Sequence, residues 1–392
     1  MTVVRLTGCQ DLLAGRPSGV PAGLADTGLA WLGDPYRDWA SRHPGRQGCG
    51  YLCSGVPLEL LHAAGLTPVR LLQLESVITQ AAGWLPPFSC ALAQATTERW
   101  IGGEFAFLRW IVFAHSCDTL KCVQDIWRLM GNGPQLLTFS LPVVVGTAAS
   151  REYYLRELHS LARMLGAELG VDIGQDQLSR SIALYNEQRR LVDALQSRGS
   201  LPYSGRWALT LAGMVMPVDA HVDLLKRTLD RQEPATSAGK SRPRVVVTGT
   251  VLDDATIPGL LDELGFRVVG DDLCTGQRHY AGQVGESEEP WAALADHYAW
   301  RSPCPGRYYS EQSRSERLVA WIRSTHVDGV VLVQPKFCDP CAFDDIQVVK
   351  GLREAKVPYV VVETDATTPL GQLRTRLQAF SEMLMSPTGR IV

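Results

Sequence analysis

Apolar and polar positions along the chain alternate between two periods. Short β-branched apolar runs, such as 327–333 and 359–362, are typical of fully buried parallel strands. Most of these runs are followed by a segment with apolar residues at helical spacing, as in 118–130 and 371–385. Strands that alternate with helices indicate parallel sheets with right-handed crossovers. The sequence therefore predicts an α/β fold.

The same pattern divides the chain into segments. We expect two doubly wound parallel-sheet domains joined by a helical segment, with a cleft between the domains. Helical periodicity marks the joining segment, and a polar, turn-rich composition marks a linker. The predicted boundaries are a loosely structured N-terminal lead-in at 1–44, a first α/β domain at 45–147, the helical segment at 148–232, the linker at 233–243 and a second α/β domain at 244–392.

Composition is that of an ordinary globular protein, with 45% hydrophobic and 20% charged residues. The formal net charge of -3 does not favour a nucleic-acid or anionic-membrane partner. No apolar run reaches the roughly 18 residues of a membrane helix, and the N-terminus lacks the pattern of a signal peptide. We therefore expect a cytoplasmic protein with neither a nucleic-acid nor a membrane partner.

Ten cysteines are notable in a chain expected in the reducing cytoplasm, where disulfides are disfavoured. Three of them follow a predicted strand and precede a predicted helix: Cys53, Cys117 and Cys338. We expect Asp118 and Asp339 to cap the helices that begin beside the last two. Ligands bind at this edge of open α/β sheets, and the positive end of the helix dipole favours the thiolate.

Cys90 lies in a loop or helix start of the first domain and is able to reach the same cleft. Converging thiolates favour a soft metal centre. Cys338 and Cys341 have CxxC spacing, but no second pair follows, so a zinc ribbon is poorly supported. Spacing alone leaves open a dispersed iron–sulfur site, a thioredoxin-like redox pair at Cys338 and Cys341, or buried structural cysteines, a role we expect for Cys9 and Cys304.

A set of motifs spans about residues 45–390 in a recognisable order. The motifs are Gly50-Tyr51-Leu52-Cys53 with the helix start at 56–65, Ser116-Cys117-Asp118, Asp271-Asp272-Leu273-Cys274-Thr275-Gly276, Lys336-Phe337-Cys338-Asp339-Pro340, and Gly371-Gln372 with Thr375-Arg376. In this order they resemble the motifs of the 2-hydroxyacyl-CoA dehydratase/benzoyl-CoA reductase family. The helical stretch at 181–192 is similar to the benzoyl-CoA reductase branch in particular.

The resemblance implies a D-component-type iron–sulfur subunit with a [4Fe–4S] cluster in the interdomain cleft. The family's ligand positions fall on Cys90, Cys117 and Cys338. At position 53 some members carry a residue other than cysteine and leave one iron open. Cys53 departs from that form, and as a fourth ligand it would close the cluster. Glu59 matches a family glutamate that is a candidate catalytic proton donor, and its alternative role is to stabilise the first turn of a helix.

The resemblance also implies radical acyl-CoA chemistry. Family members work as dimers, so we expect a paralogous or identical partner subunit. A separate ATP-dependent iron–sulfur activator protein would supply low-potential electrons one at a time. The substrate would be an acyl-CoA or aryl-CoA that passes through a ketyl-type radical. It then loses water in a dehydratase (a lyase) or gains electrons and protons in a reductase (an oxidoreductase).

Two alternatives remain open. Some relatives hold a double-cubane [8Fe-9S] cluster and reduce small molecules. The thiols available here for a second cubane are Cys49, Cys122, Cys274 and Cys341. Cys122 is five residues from Cys117 and would point to another side of the helix, which weakens this scheme. The other alternative is a non-catalytic electron-relay subunit, a role that a closed cluster would suit.

Overall fold

Ten strands form the sheets of the described chain. The structure is a computed structural model that describes residues 32–74, 76–198, 200–231, 242–286, 289–301, 303–309, 311–365 and 368–386. Within these residues the strands are β1 (Gln47–Tyr51), β2 (Leu66–Arg70), β3 (Leu108–Ala114), β4 (Gln135–Phe139), β5 (Val144–Val145), β6 (Arg244–Gly249), β7 (Arg267–Asp272), β8 (Tyr308–Tyr309), β9 (Gly329–Pro335) and β10 (Tyr359–Thr364).

The strands build two four-stranded sheets, each parallel throughout. The first sheet has the order β2–β1–β3–β4 and the second the order β10–β9–β6–β7. In the first sheet β2 is added on one side of β1, whereas β3 and β4 are added on the other side, so the strand order switches between β1 and β3. The strand order of the second sheet switches in the same way between β6 and β9. Loops diverge at such switch points and leave a crevice at the carboxyl edge of the sheet. The predicted α/β class with parallel sheets is confirmed, whereas the domain division stays a prediction. A small third sheet, β5–β8, was not predicted.

The helices connect and cover these sheets. The helical segment predicted at 148–232 contains four long helices, and the linker predicted at 233–243 lies almost wholly outside the described residues. The helices are α1 (Trp39–Arg42), α2 (Leu58–Ala63), α3 (Ala91–Ile101), α4 (Asp118–Met130), α5 (Ala148–Leu169), α6 (Gln175–Arg198), α7 (Tyr203–Ala212), α8 (Val218–Asp230), α9 (Thr256–Glu263), α10 (Gln277–Tyr280), α11 (Pro290–Trp300), α12 (Arg314–Thr325), α13 (Asp339–Glu354) and α14 (Leu370–Met385).

A single apolar core joins the two sheets. Successive residues of a strand point to opposite faces, so Ile111 of β3 lies in this core while Val112 lies in a second cluster. In β6, Val245 lies in the shared core and Val246 in a third cluster. Helix α7 is buried on nearly all sides, and its polar residues Arg206 and Thr210 are buried with the apolar ones. The shared core therefore fixes the two carboxyl edges relative to each other.

The prediction of a loosely structured lead-in is wrong for residues 32–44, and residues 1–31 lie outside the described chain. Tyr36 and Trp39 are buried. The Tyr36 hydroxyl donates to the Arg70 carbonyl at 2.9 Å and accepts from the Leu72 N–H at 2.7 Å. The Trp39 Nε1–H donates to the Val215 carbonyl at 3.0 Å. Tyr36 thus satisfies backbone groups at the end of β2, and Trp39 satisfies one in the segment after α7; the Gly- and Pro-rich composition did not indicate either contact.

Within the described residues, no helix combines the length and the apolar character needed to cross a bilayer. The cytoplasmic location stays a prediction.

A buried ion pair connects α2 to α6. The Glu59 side chain is fully buried, and its Oε1 accepts a hydrogen bond from Arg189 Nη2. Its Oε2 accepts from the Tyr298 hydroxyl at 2.9 Å, and the Ser181 hydroxyl donates to its carbonyl at 2.8 Å. Burial raises the pKa of Glu59, but the Arg189 charge and hydrogen bond outweigh it, so that the pKa is lowered overall. The carboxylate is therefore ionised at neutral pH.

Removing the Arg189 charge should leave the Glu59 carboxylate buried without a cation. We expect Arg189→Leu to lower the free energy of unfolding by about 3–5 kcal/mol, measured by urea denaturation at pH 7. Arg190→Leu is the matched control, because this neighbour is half exposed and lies 3.7 Å from its partner Glu286. Equal destabilisation by the two variants would contradict the structural importance of the Glu59–Arg189 pair.

A second link joins the loops at the carboxyl edges of the two sheets. Asp253, in the segment after β6, accepts the Gln73 backbone N–H from the segment after β2 at 2.7 Å. Burial raises the pKa of Asp253 to about 6, and the backbone N–H groups of Gln73 and Leu74 oppose the rise. The native state therefore binds a proton at Asp253 between about pH 4 and pH 6, where the unfolded chain has released it.

Stability should accordingly fall as the pH rises through that window, because the raised native pKa makes deprotonation costly. We expect Asp253→Asn to remove up to about 3 kcal/mol of this fall, since the amide oxygen still accepts the Gln73 N–H. Urea unfolding of both proteins at pH 4.5 and pH 7.5 measures the difference. An identical pH dependence in variant and wild type would show that Asp253 does not titrate in this way.

Candidate metal centre

Three cysteines occupy the position immediately before the first turn of a helix. Cys90 is the N-cap of α3, Cys117 of α4 and Cys338 of α13. The prediction that Asp118 and Asp339 are the caps is wrong by one residue, because the backbone becomes helical at each aspartate. Asp118 is instead exposed and pairs with Lys121 at 3.1 Å. The cysteine side chains themselves therefore lie at the free N–H groups of the helix ends.

Backbone N–H groups approach each of these sulfur atoms at the third helical position. The geometry falls short of a capping hydrogen bond to the cysteine side chain at all three helices. Burial raises the pKa of the Cys90 thiol to about 11 and that of Cys117 to about 12, while the N–H groups of Ala93 and Leu120 act in the opposite direction. These thiols are neutral by themselves, and metal binding would have to release their protons.

Cys338 differs from the other two because its pKa is lowered, to about 7. The main cause is the neighbouring Cys341 side chain, helped by the Cys341 N–H and the Thr250 hydroxyl, against the rise due to burial. Cys341 is buried, and its Sγ lies 3.2 Å from the Asp345 carboxylate. Phe337, just before the cysteine, has a left-handed backbone with φ of 59°. The lowered pKa agrees with the thiolate character expected at this strand end.

The fold brings the four cysteines named from the sequence close enough to influence one another. The charges of Cys90, Cys338 and Cys53 all raise the pKa of Cys117. Cys53 follows β1 and Cys117 follows β3, on the two sides of the switch point of the first sheet. Cys338 follows β9, beside the switch point of the second sheet. Thiols from both sheets therefore approach one crevice.

These thiols do not form the compact shell of a single metal ion. Among the described residues, no group of three or more histidine, cysteine, aspartate or glutamate side chains is close enough to hold one ion. The ligands of an iron–sulfur cubane bind different iron atoms, so they stand farther apart than the ligands of one ion. A cubane therefore does not require the four sulfur atoms to converge on a single point.

Cys304, which we expected to be a buried structural cysteine, lies near the same thiols. Burial raises its pKa, and the charges of Cys53 and Arg278 also act on it. Its loop presses against the loop before α4, since a Cβ at Gly306 would come within 2.8 Å of the Ser116 carbonyl oxygen. The signal in the sequence was the setting Pro303-Cys304-Pro305-Gly306, which favours a loop over a core strand.

The thiols considered for a second cubane divide into two groups. Cys49 is fully buried in an apolar cluster, and burial alone raises its pKa, to about 12. Cys122 is exposed on α4. Cys341 lies beside Cys338, and the charge of Cys53 reaches Cys274. Only the last two of these candidates are therefore near the crevice.

Glu59 lies in the ion pair described above rather than among the thiols. Its carboxylate is held by Arg189 and the Tyr298 hydroxyl, and it is ionised. Such a group accepts hydrogen bonds and does not carry a proton to donate. Its role as a catalytic proton donor stays a prediction, and the contacts favour a structural one.

Comparison with known proteins gives the chain a family. The model for "2-hydroxyglutaryl-CoA dehydratase, D-component" matches residues 53–384. The chain is 28% identical to the (R)-phenyllactyl-CoA dehydratase beta subunit of Clostridium sporogenes, over 87% of this chain and 92% of that protein. It is 28% identical to the lactoyl-CoA dehydratase beta subunit of Anaerotignum propionicum, over 87% and 92%. It is 26% identical to one of the benzoyl-CoA reductase subunits of Thauera aromatica, over 83% and 87%. The chain belongs to the 2-hydroxyglutaryl-CoA dehydratase D-component family.

Proposed function

We propose that the chain is the iron–sulfur subunit of a radical acyl-CoA enzyme of the 2-hydroxyacyl-CoA dehydratase or benzoyl-CoA reductase type. The observation that carries the proposal is the convergence of Cys53, Cys90, Cys117 and Cys338 on one crevice, three of them as helix N-caps. The relatives support it, because they are named as subunits of dehydratases and of a reductase.

The group that these four cysteines would hold is a [4Fe–4S] cluster. Its inorganic sulfides and thiolates accept hydrogen bonds, and two of the buried polar atoms that lack a hydrogen-bond partner within the described residues lie near these cysteines: the Thr250 hydroxyl and Nη1 of Arg278. The Thr250 hydroxyl acts on the Cys338 sulfur, and the Arg278 charge acts on Cys274 and Cys304. A soft, multiply charged group in the crevice would satisfy both donors.

A bound cluster would supply electron transfer at low potential, one electron at a time. The chain itself would hold the cluster between the two sheets and keep water from it. The three helix N-termini would stabilise thiolate ligands through their free N–H groups. The buried Glu59–Arg189 pair would fix α2, which follows Cys53, against α6.

We further propose that the segments 45–147 and 244–392 are separate α/β domains on the two sides of this crevice. The partners would be a paralogous or identical subunit, an ATP-dependent iron–sulfur activator and an acyl-CoA or aryl-CoA substrate. The subunit names of the relatives support a multisubunit enzyme. Cys53 is a fourth thiol, so the cluster would be closed, which also fits an electron-relay role beside a catalytic partner.

A double-cubane [8Fe-9S] cluster that reduces small molecules is the second candidate. The observation that favours it is the presence of three further thiols, Cys274, Cys304 and Cys341, next to the first four. Two of these, Cys274 and Cys341, were named from the sequence, and Cys304 takes the place of the remote Cys49 and Cys122. Iron analysis separates the two clusters, with about four irons per chain for one cubane and about eight for two.

The cysteine assignment can be tested by exchanging single thiols of one helix. We expect Cys117→Ala to lose most of the iron, the acid-labile sulfide and the brown absorption of anaerobically reconstituted protein, because a ligand is missing. Cys122→Ala should retain all three, since that thiol lies exposed on the same helix. Cys338→Ala should behave like Cys117→Ala. Full iron content in either of these two ligand variants would refute the assignment.

The fourth ligand can be tested separately. We expect Cys53→Ala to keep most of its iron but to open one coordination position, so that a small exogenous thiol or cyanide changes the electron paramagnetic resonance spectrum of the reduced protein. The wild-type spectrum should not change under the same conditions, because its cluster is closed. A wild-type cluster that already responds to the added ligand would show that Cys53 does not bind iron.

A further inference from the structure

Arg70, at the end of β2, is a buried cation that makes no ion pair within the described residues. Its side chain is only 2% exposed. The other buried arginines near the crevice have carboxylate partners: Arg278 pairs with Asp272, and Arg314 with Asp272 and Asp344. A guanidinium withdrawn from water without an anion is costly, so its charge requires a partner.

Sulfur and carbonyl groups surround Arg70 instead. Its Nη2 donates to the Cys274 sulfur at 3.3 Å, and its Nη1 donates to the Cys274 carbonyl at 2.5 Å. Nη1 also approaches the Ser54 hydroxyl and the Met214 sulfur at 3.3 and 3.5 Å. The groups within reach of its charge that are able to become anionic are the thiols of Cys274 and Cys53, the Tyr51 hydroxyl, and the Asp253 carboxyl, which is not within ion-pair distance. The guanidinium charge of Arg70 thus lies beside Cys274 and Cys53 at the edge of the crevice.

A second arginine adds to the positive charge at the same corner. Nη1 of Arg301 donates to the Ser54 carbonyl at 2.5 Å, and no ion pair within the described chain includes Arg301. His279, which lies 3.4 Å from Arg70 Nη1, is neutral, because burial and the two arginine charges hold its pKa well below its usual value. The loop that carries Cys53 therefore contacts two guanidinium groups that make no ion pair within the described residues, although the carboxylates of Asp253 and Glu59 act on them from a distance.

We propose that Arg70 balances the negative charge of the iron–sulfur cluster on its Cys53 side and thereby raises the reduction potential of that cluster. The inference rests on the proposed function. A cluster with four thiolate ligands is anionic, and it gains one more negative charge on reduction. A fixed positive charge and a hydrogen bond to a neighbouring sulfur favour the reduced state. Arg70 is thus a positioning residue for electron transfer rather than a catalytic residue.

The test is a potentiometric titration of the reconstituted full-length chain, followed by electron paramagnetic resonance. We expect Arg70→Gln to lower the equilibrium constant for one-electron reduction at least tenfold, which is a shift of about 59 mV to lower potential. Arg70→Lys keeps the charge but loses the forked hydrogen bonds, so it should shift the potential in the same direction by less.

Arg206→Gln is the matched control. Arg206 is also buried and makes no ion pair with any described residue, but it donates to the Gln196 amide oxygen at 2.8 Å and the Val268 carbonyl at 2.7 Å rather than to sulfur. Its loss should destabilise the fold and leave the potential unchanged.

If Arg206→Gln shifts the reduction potential as much as Arg70→Gln does, or if Arg70→Gln does not shift it, the proposed role of Arg70 is wrong. The assignment of the cluster itself would still stand. If Arg70→Gln does not accumulate with a cluster, Arg70→Met, which also removes the charge but keeps an unbranched side chain, decides in its place, and an unchanged potential there overturns the proposal. A wild-type chain that binds no iron removes the proposed function itself, and the inference with it.

Discussion

The structure depends on how two parallel sheets are held with their carboxyl edges near one crevice. An apolar core that includes Ile111 from one sheet and Val245 from the other keeps the sheets at a fixed separation. Because parallel strands all end at the same edge, every strand-end loop of a sheet reaches the same region. The thiols of Cys53, Cys117 and Cys338 are brought together by this topology although they are far apart in sequence.

Electrostatics explain why the crevice suits an anionic group. Three helix N-termini direct free N–H groups at sulfur atoms, and Arg70 and Arg301, which make no ion pair in the described part of the chain, add positive charge. Burial nevertheless keeps the thiols of Cys90 and Cys117 protonated in the absence of a ligand. We propose that a soft cationic assembly binds there, displaces these protons and forms with its thiolate ligands a group of negative total charge.

Much of this arrangement could be predicted from local sequence. The β-branched run before Cys338 and the apolar strand before Cys117 identified strand ends, and family motifs added Cys90. What could not be predicted depends on long-range contacts. Tyr36 stabilises the end of β2 from a segment with no periodicity, and Cys304 reaches the crevice only because Gly306 permits a close approach to Ser116. The lack of an ion pair at Arg70, among the residues that the structure describes, is likewise visible only once both sheets are assembled.

A cubane bound in the crevice by cysteines from both sheets would explain the converging thiols, the helix N-termini and the unpaired arginines together. The most direct measurement is the Mössbauer spectrum of the wild-type protein, produced in cells grown with labelled iron and purified anaerobically. We expect nearly all of the iron to show the parameters of tetrahedral sulfur coordination in a [4Fe–4S] cluster. Iron in oxygen or nitrogen coordination, or no bound iron, would refute the cubane.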